Sequence, residues 1–163
     1  MSEAGIDKLD ELIRQFNTAM LVTQSLDGAL RARPMAIAEH GEGAVLYFAT
    51  RSEDEKLGEI LQSPGVAVTM QADNIYLSIS GEARVLTNRL LADELWTASM
   101  RLWFPEGPGD PDLVILLFEP TYAEYWDRAG MQRLQFWWEA GKALSRGEKT
   151  NADDLSGHDK VTL

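Results

Sequence analysis

The sequence contains no cysteine. That absence excludes disulfides, thiolate nucleophiles and iron–sulfur clusters, and it leaves the redox compartment open, since a missing thiol does not show a reducing one. Histidine is almost as scarce: only His40 and His158 occur, each in a polar, glycine-containing stretch. A zinc site built on histidines, or a Ser-His-Asp triad, would rest on a single loop residue, which argues against classical hydrolase chemistry and against a bound metal. Positive charge is short too. Lysine and arginine total 15 against 26 aspartates and glutamates, a formal net charge of −11, and such a surface repels nucleic acid and anionic lipid. Long apolar runs are missing: Leu113–Phe118 is far too short to span a bilayer, and the acidic, amphipathic start has no basic or apolar leader. The expectation is a soluble, cytoplasmic protein without nucleic-acid or membrane partners.

What is present suffices for one domain. The 163 residues are enough to bury a core without staples. Ile6, Leu9, Leu12, Ile13 and Phe16 recur at helical spacing among charged residues, so the chain opens with an amphipathic helix. The period then changes. Met20–Gln24, Leu30–Glu39 and Val45–Thr50 read as a meander, turned at Asp27-Gly28 and at His40-Gly41-Glu42-Gly43. Ser52-x-x-Glu55 has the spacing of a capping box, with Ser52 as the N-cap of a short helix carrying Leu57, Ile60 and Leu61 and stopping before Pro64-Gly65. Val66–Met70 and Ile75–Leu86 are further strands, and Gly81 inside the second predicts a bulge or a close backbone approach. Asn88 caps a third helix with Leu91, Leu95, Trp96 and Met100 on its apolar face. After a loop from Phe104 to Pro111, Leu113–Phe118 forms a strand stopped by Pro120, and Tyr122–Asp127 and Gln132–Trp138 form two final strands around a Gly130 turn. Runs of strands with three short helices predict a mainly β, α+β fold, an antiparallel barrel with helices attached. Residues 1–140 form that domain, and 141–163 form a polar tail that packs on the barrel or on a partner subunit.

Arg31, Arg33 and Met35 alternate along one extended run and share a face. An isolated Arg-x-Arg ordinarily faces solvent. Pro34 between them cannot donate to a ladder, which places it at an edge, a strand start or a bulge, where backbone groups are free to meet a ligand. Thr50, Ser52 and Lys56 bring hydroxyls, backbone N–H groups and a cation together at a helix start, as a phosphate requires, although Glu53, Asp54 and Glu55 would equally serve ordinary capping. All five tryptophans fall after residue 95. Packing accounts for most of them, but Trp103-Phe104 beside the proline-glycine loop suits a planar ligand ring or a subunit partner.

In order along the chain stand Arg33-Pro34-Met35, Tyr47-Phe48-Ala49-Thr50, Lys56, Pro64-x-Val66, Ser78-Ile79-Ser80-Gly81-Glu82-Ala83, Trp103-Phe104-Pro105-x-Gly107-x-x-Asp110-Pro111 and Glu124-Tyr125-Trp126-Asp127. This series resembles the bacterial general stress protein branch of the pyridoxamine 5'-phosphate oxidase-like, FMN-binding split-barrel superfamily. The resemblance implies a six-stranded antiparallel split β-barrel, a homodimer, and FMN held at the subunit interface. It gives Arg33 and Lys56 to the FMN phosphate, with Ser52 nearby, and Met35 with its neighbour Pro34 to a backbone contact with the flavin. It sets Thr50, with Ala49, beside the isoalloxazine, and Trp103 and Trp126 near the cofactor. No catalytic side chain follows from it. Two departures qualify the reaction. Glu55 stands where the oxidases carry an arginine before the lysine, and Gln135 and Trp137 stand where they carry a histidine and a second arginine, with Arg133 matching the first. The resemblance therefore carries the cofactor rather than oxidation of pyridoxamine phosphate. The reading is an FMN-dependent oxidoreductase of unknown substrate, with reduced nicotinamide as a candidate donor and FAD as a tolerated flavin. The alternatives are a protein that buffers or senses flavin without turnover, and a split barrel using deazaflavin F420.

Overall fold

Alternation of apolar and polar residues builds most of this molecule. The computed structural model describes residues 3–72, 74–127 and 158–162. In chain order they form α1 (Glu3–Ile13), β1 (Thr18–Gln24), β2 (Leu30–His40), β3 (Leu46–Arg51), α2 (Glu55–Gln62), β4 (Gly65–Ala72), β5 (Ile75–Leu86), α3 (Arg89–Leu95), β6 (Leu113–Trp126) and β7 (His158–Thr162), with two single 3-10 turns at Ala98–Leu102 and Gly107–Gly109. The sheet order is β3-β2-β1-β4-β5-β6-β7, all antiparallel, and β3 also pairs with β6. That last pairing closes β1 to β6 into a six-stranded barrel, the fold expected from the sequence, and β7 extends it along the outer part of β6. Among the described residues, no helix is long and apolar enough to cross a membrane.

The interior is filled by side chains of period two. Leu21, Leu46, Phe48, Val68, Ile79, Leu116 and Phe118 are fully buried, each worth about 1.5–3 kcal/mol relative to exposure. Leu9, Leu12, Ile13 and Phe16 of α1 and its exit join this core, as the amphipathic stripe predicts. A second, smaller cluster lies on the outer face of β3 and β6, where Ala92, Phe104, Leu113 and Ile115 pack beneath α3. Phe104 is thus core, whereas the sequence alone paired it with Trp103 as a ligand or partner contact.

Three local expectations are corrected. Pro120 does not stop a strand: β6 runs through it, because Ser80 pairs with Tyr122 while Gly81 pairs with Pro120, so Thr121 is an extra residue in β6 and the ladder resumes past the bulge. Gly81 makes this possible, since a β-carbon there would run into the Glu119 carbonyl and stand 2.8 Å from the Pro120 Cα. Ser52 is not the cap of α2. Its backbone N–H bonds the Asp112 carbonyl at 2.8 Å, and Asp54 caps the helix by accepting from the Lys56 N–H at 3.2 Å. The third helix is shorter than its periodicity suggests: Asn88 caps it as expected, but Trp96 ends it and Met100 belongs to the following 3-10 turn. Gln132–Trp138 lies outside the described residues.

His40 ends β2 with Nε2 2.9 Å from the Phe16 carbonyl oxygen, and the next turn is held by α1, whose Asp10 carboxylate accepts from Gly43 and Ala44 N–H groups. These contacts fix where β3 starts. They thereby fix the position of its far end, Thr50.

Candidate functional site

The geometry of the barrel mouth begins with register. In the β1–β2 pair Arg31 faces Thr23, Arg33 faces Leu21 and Met35 faces Ala19. Directly opposed residues share a face, and Ala19, Leu21 and Thr23 are all buried. The Arg31, Arg33 and Met35 side chains therefore share the inner face of the sheet; Met35 is buried there and Arg33 largely covered, while Arg31, nearest the rim, stays about half exposed. Pro34 lies opposite Met20 on the outer face, exposed.

Helix α2 covers this end of the barrel and packs on β1 and β5. Its buried stripe is Lys56, Leu57, Glu59 and Ile60, at helical spacing, so two charged groups are pressed inward with two aliphatic ones. Lys56 is 4 % exposed and forms an ion pair with Asp54, the N-cap of its own helix. Glu59 is 5 % exposed and receives Arg33 in two bonds, Nη1 to Oε2 at 2.9 Å and Nη2 to Oε1 at 3.2 Å. Thr23 Oγ1 donates to the same carboxylate at 2.6 Å and accepts from Arg33 Nη1 at 2.7 Å. Arg31 Nη1 reaches Glu55 at 3.2 Å and Glu59 at 3.5 Å. Two arginines of β2 and one lysine of α2 thus gather over one carboxylate-lined floor.

The carboxylates respond to those cations. Glu59 is held below its ordinary pKa by the hydrogen bonds from Arg33 and Thr23, which outweigh the opposing effect of burial, and the Arg33 and Arg31 charges add to the lowering. Burial is the largest single influence on Asp54 and pushes it up, yet hydrogen bonds from Lys56 and the charges of Lys56 and Arg33 leave it lowered. Arg33 and Lys56 therefore act on one carboxylate from two separate elements. A cleft of about 600 Å³ opens at Arg31, with Asp27, Glu55, Gly58, Glu59 and Gln62 also in its wall.

Next to the cluster the barrel splits. Pairing of β2 with β3 starts at Ile37–Phe48 and runs away from the mouth, with a bulge at Ala38. Two residues short of that pair on each strand stand Met35 and Thr50, both buried on the inner face. From Leu30 to Ala36, the side of β2 that faces away from β1 has no strand partner among the described residues. Among the described residues, the backbone donors and acceptors on that side have no ladder partner. The mouth can thus bind an anion at one point and a flat polar-edged group at the next.

The remaining candidate residues are distributed more widely. Ala49 points outward toward the second cluster. Ser52 is exposed at the α2 entry. Trp103 is 63 % exposed, and its carbonyl accepts from Arg51 Nη2 at 2.9 Å, which ties it to the end of β3. Trp126 pairs with Tyr76 and His158 at the far end of β6, beyond the stretch Leu113–Phe118 of that strand that pairs with β3. Within one chain, Arg33, Met35, Thr50 and Lys56 come together at the mouth.

A family model for proteins described as pyridoxamine 5'-phosphate oxidase like matches residues 4–151. The chain belongs to the pyridoxamine 5'-phosphate oxidase-like family. No curated protein matches the sequence. Among solved structures, the general stress protein 26 of Bacillus anthracis str. Sterne is similar at 27% identity, over 72% of this chain and 92% of that one, with a TM-score of 0.62. A Clostridium acetobutylicum protein related to general stress protein 26 superposes with a TM-score of 0.69 at 20% identity, covering 78% and 92% of the two chains. The general stress FMN/FAD binding protein of Xanthomonas citri does so at 0.67 and 21% identity, over 95% and 97%. The last two likenesses concern the fold.

Within this member of the pyridoxamine 5'-phosphate oxidase-like family, sequence reasoning missed Thr23 and Glu59, and gave Asp54 a share in ordinary capping, which it has. A signal existed for both missed residues. Thr23 alternates with Leu21 and Ala19, and Glu59 occupies the same helical stripe as Leu57 and Ile60. A polar residue in an apolar register is the mark of a buried partner.

Proposed function

We propose that this protein binds FMN at the split mouth of the barrel, with the phosphate at Arg33 and Lys56 and the ring along β2 between Met35 and Thr50. The observation that carries the reading is the convergence of Arg31, Arg33 and Lys56, from two elements, beside a strand edge that has no ladder partner among the described residues. The donor set fits a phosphate monoester. Arg33 keeps N–H groups unused by Glu59, and Lys56, with three donors, has Asp54 as its one ion-pair partner among the described residues. The similarity to a structure named as FMN/FAD binding supports a flavin. FAD is a second candidate, since the same similar structure is named for both flavins.

Bound FMN supplies two-electron redox chemistry, for which reduced nicotinamide is a suitable donor. The protein's own part is binding and orientation: Arg33 and Lys56 fix the phosphate, the free edge of β2 offers backbone bonds to the ring, and buried Met35 and Thr50 keep water from its inner face. We assign no proton-transferring side chain. The site is further proposed to lie in a homodimer interface, where the exposed Trp103 offers a flat apolar surface. A second reading, flavin binding without turnover, draws on Gln135 and Trp137, which stand where the oxidases carry a histidine and an arginine.

Titration of the purified protein with FMN and riboflavin, followed by flavin fluorescence and the visible spectrum, tests the proposal. FMN is expected to bind more tightly than riboflavin, and Arg33→Ala is expected to remove most of that preference, roughly ten- to a hundredfold in Kd for loss of a charge-assisted pair. Failure to bind either flavin would overturn it. NADPH oxidation by the FMN-loaded protein, well above free FMN, separates the oxidoreductase from the binding module.

A further inference from the structure

A guanidinium carries five N–H groups in a rigid plane, and their orientation decides what it can grip. In Arg33, Nη1 donates to Glu59 Oε2 and to Thr23 Oγ1, and Nη2 donates to Glu59 Oε1. Glu59 thus holds the end of the fork, and Thr23 takes the second Nη1 hydrogen. The edge formed by Nε–H and the other Nη2 hydrogen makes no hydrogen bond among the described residues. Thr23 closes the triangle by donating to Glu59 Oε2 at 2.6 Å. Burial gives the arrangement a front and a back: Thr23 is 1 % and Glu59 5 % exposed, whereas the Arg33 side chain is 23 % exposed.

Charge alone does not explain an anion site here. Three cations, Arg31, Arg33 and Lys56, stand with four carboxylates, Asp27, Asp54, Glu55 and Glu59, so the mouth carries no excess of positive charge. A floor of that composition has little diffuse attraction for a dianion, and selectivity must come from oriented bonds. A free arginine spends rotamer entropy when it closes on a ligand, and one already clamped does not. We infer that Thr23 and Glu59 are positioning residues, a buried clamp that presents the Nε–Nη2 edge of Arg33 outward as a ready-made bidentate fork for a phosphate monoester. The inference rests on the FMN reading above and deepens it. It makes the preference for phosphorylated over unphosphorylated flavin a property of two residues that touch no ligand.

The test measures Kd for FMN and for riboflavin in the full-length protein and in Thr23→Val, Thr23→Ser and Glu59→Gln. Thr23→Val removes the hydroxyl at nearly constant shape. It is expected to weaken FMN about tenfold, the scale of one lost hydrogen bond to a charged group, and to leave riboflavin within about twofold. Thr23→Ser restores FMN binding. Glu59→Gln weakens FMN in the same direction although it removes a negative charge, a result that electrostatics alone would reverse. An FMN-to-riboflavin ratio unchanged in the Val and Gln variants, or FMN bound more tightly by Glu59→Gln, would overturn the clamp while leaving the FMN reading intact. Equal Kd values for the two flavins in the unaltered protein would overturn both. Because Thr23 is buried and its Val variant can fail to fold, a crystal structure of the unaltered protein with FMN provides a second measurement. The expected complex has phosphate oxygens on Nε and Nη2 with Glu59 still on Nη1; a phosphate that has displaced Glu59 from the fork contradicts the clamp.

Discussion

A carboxylate or ammonium can be buried only when it is paired and hydrogen-bonded, and Glu59 and Lys56 meet that condition from one helix. They occupy a stripe where aliphatic side chains would carry no electrostatic cost, so the stripe is compromised for the sake of what stands at the mouth. This has a consequence for pH. The Glu59 carboxyl lies below its ordinary 4.5, first through hydrogen bonds from Arg33 and Thr23, and Asp54 is lowered as well. A carboxyl whose folded pKa is depressed contributes stability that is fully present above its unfolded value and is lost as pH falls through the folded one. The urea midpoint is therefore expected to be level from about pH 8 to about pH 6 and to decline below about pH 5, where the unfolded chain begins to bind protons that the folded one excludes. Glu59→Gln should start from lower stability at neutral pH and decline less on acidification. An acid limb as steep in that variant as in the unaltered protein would show that Glu59 is not among the groups responsible. The pairings of Glu59 are not local, since Arg33 meets it across 26 residues and Thr23 across 36, whereas Lys56 meets Asp54 two residues away. The sequence shows that Arg33 and Lys56 are cations in suitable elements. It does not show that Arg33 would find Glu59, because that depends on how β1, β2 and α2 are brought together.

At the level of elements, strand pattern and glycine placement were readable because both depend on short-range sterics. Period two marked the β1, β2 and β3 meander, and Asp27-Gly28 marked its first turn, where Gly28 has φ 86°. Gly81 was readable as a close approach, while its partner was not: Pro120 looked like a strand end because a proline breaks a ladder locally. The bulge at Thr121 reconciles the two by letting the ladder step past the residue that cannot donate. Capping was misread for a related reason. Ser52 and Asp54 are both good N-caps in composition; the helix starts at Glu55, which puts the Asp54 carboxylate, not the Ser52 hydroxyl, next to the first unpaired N–H groups. Gly81→Ala tests the bulge. A methyl group at that position meets backbone of β6 rather than a side chain that can turn away, so relaxation requires moving the strand, and a cost of about 1–3 kcal/mol or more is expected. Thermal denaturation of the variant measures it. A melting temperature unchanged from the parent would mean that β6 does not approach β5 as closely as described.

For the whole molecule, two properties bear on the proposed site: an exposed aromatic surface and an unfavourable charge. Leu102 and Trp103 are exposed at the end of β3, where the Trp103 carbonyl accepts from Arg51. If the proposed site lies between subunits, a second copy covers that surface, and light scattering is expected to give about twice the 18.2 kDa chain mass; a monomer at micromolar concentration would contradict an interface site. The charge makes a less obvious prediction. Most phosphate-binding proteins attract their ligand at long range, and salt slows its association. Here the chain carries −11 overall and the cations of the mouth are matched by Asp27, Asp54, Glu55 and Glu59, so FMN, bound as proposed, would approach against a repulsive field and be held at contact by oriented bonds. Added salt screens the repulsion over about 10 Å at 0.1 M and leaves short bidentate contacts largely intact. The association rate of FMN is therefore expected to rise a few-fold between about 10 and 300 mM monovalent salt, while that of uncharged riboflavin stays level. Stopped-flow quenching of flavin fluorescence separates the two. An FMN rate that falls with salt would mean that the cations at the mouth project a net positive field, and that their pairing with Asp54, Glu55 and Glu59 does not govern the approach of the ligand.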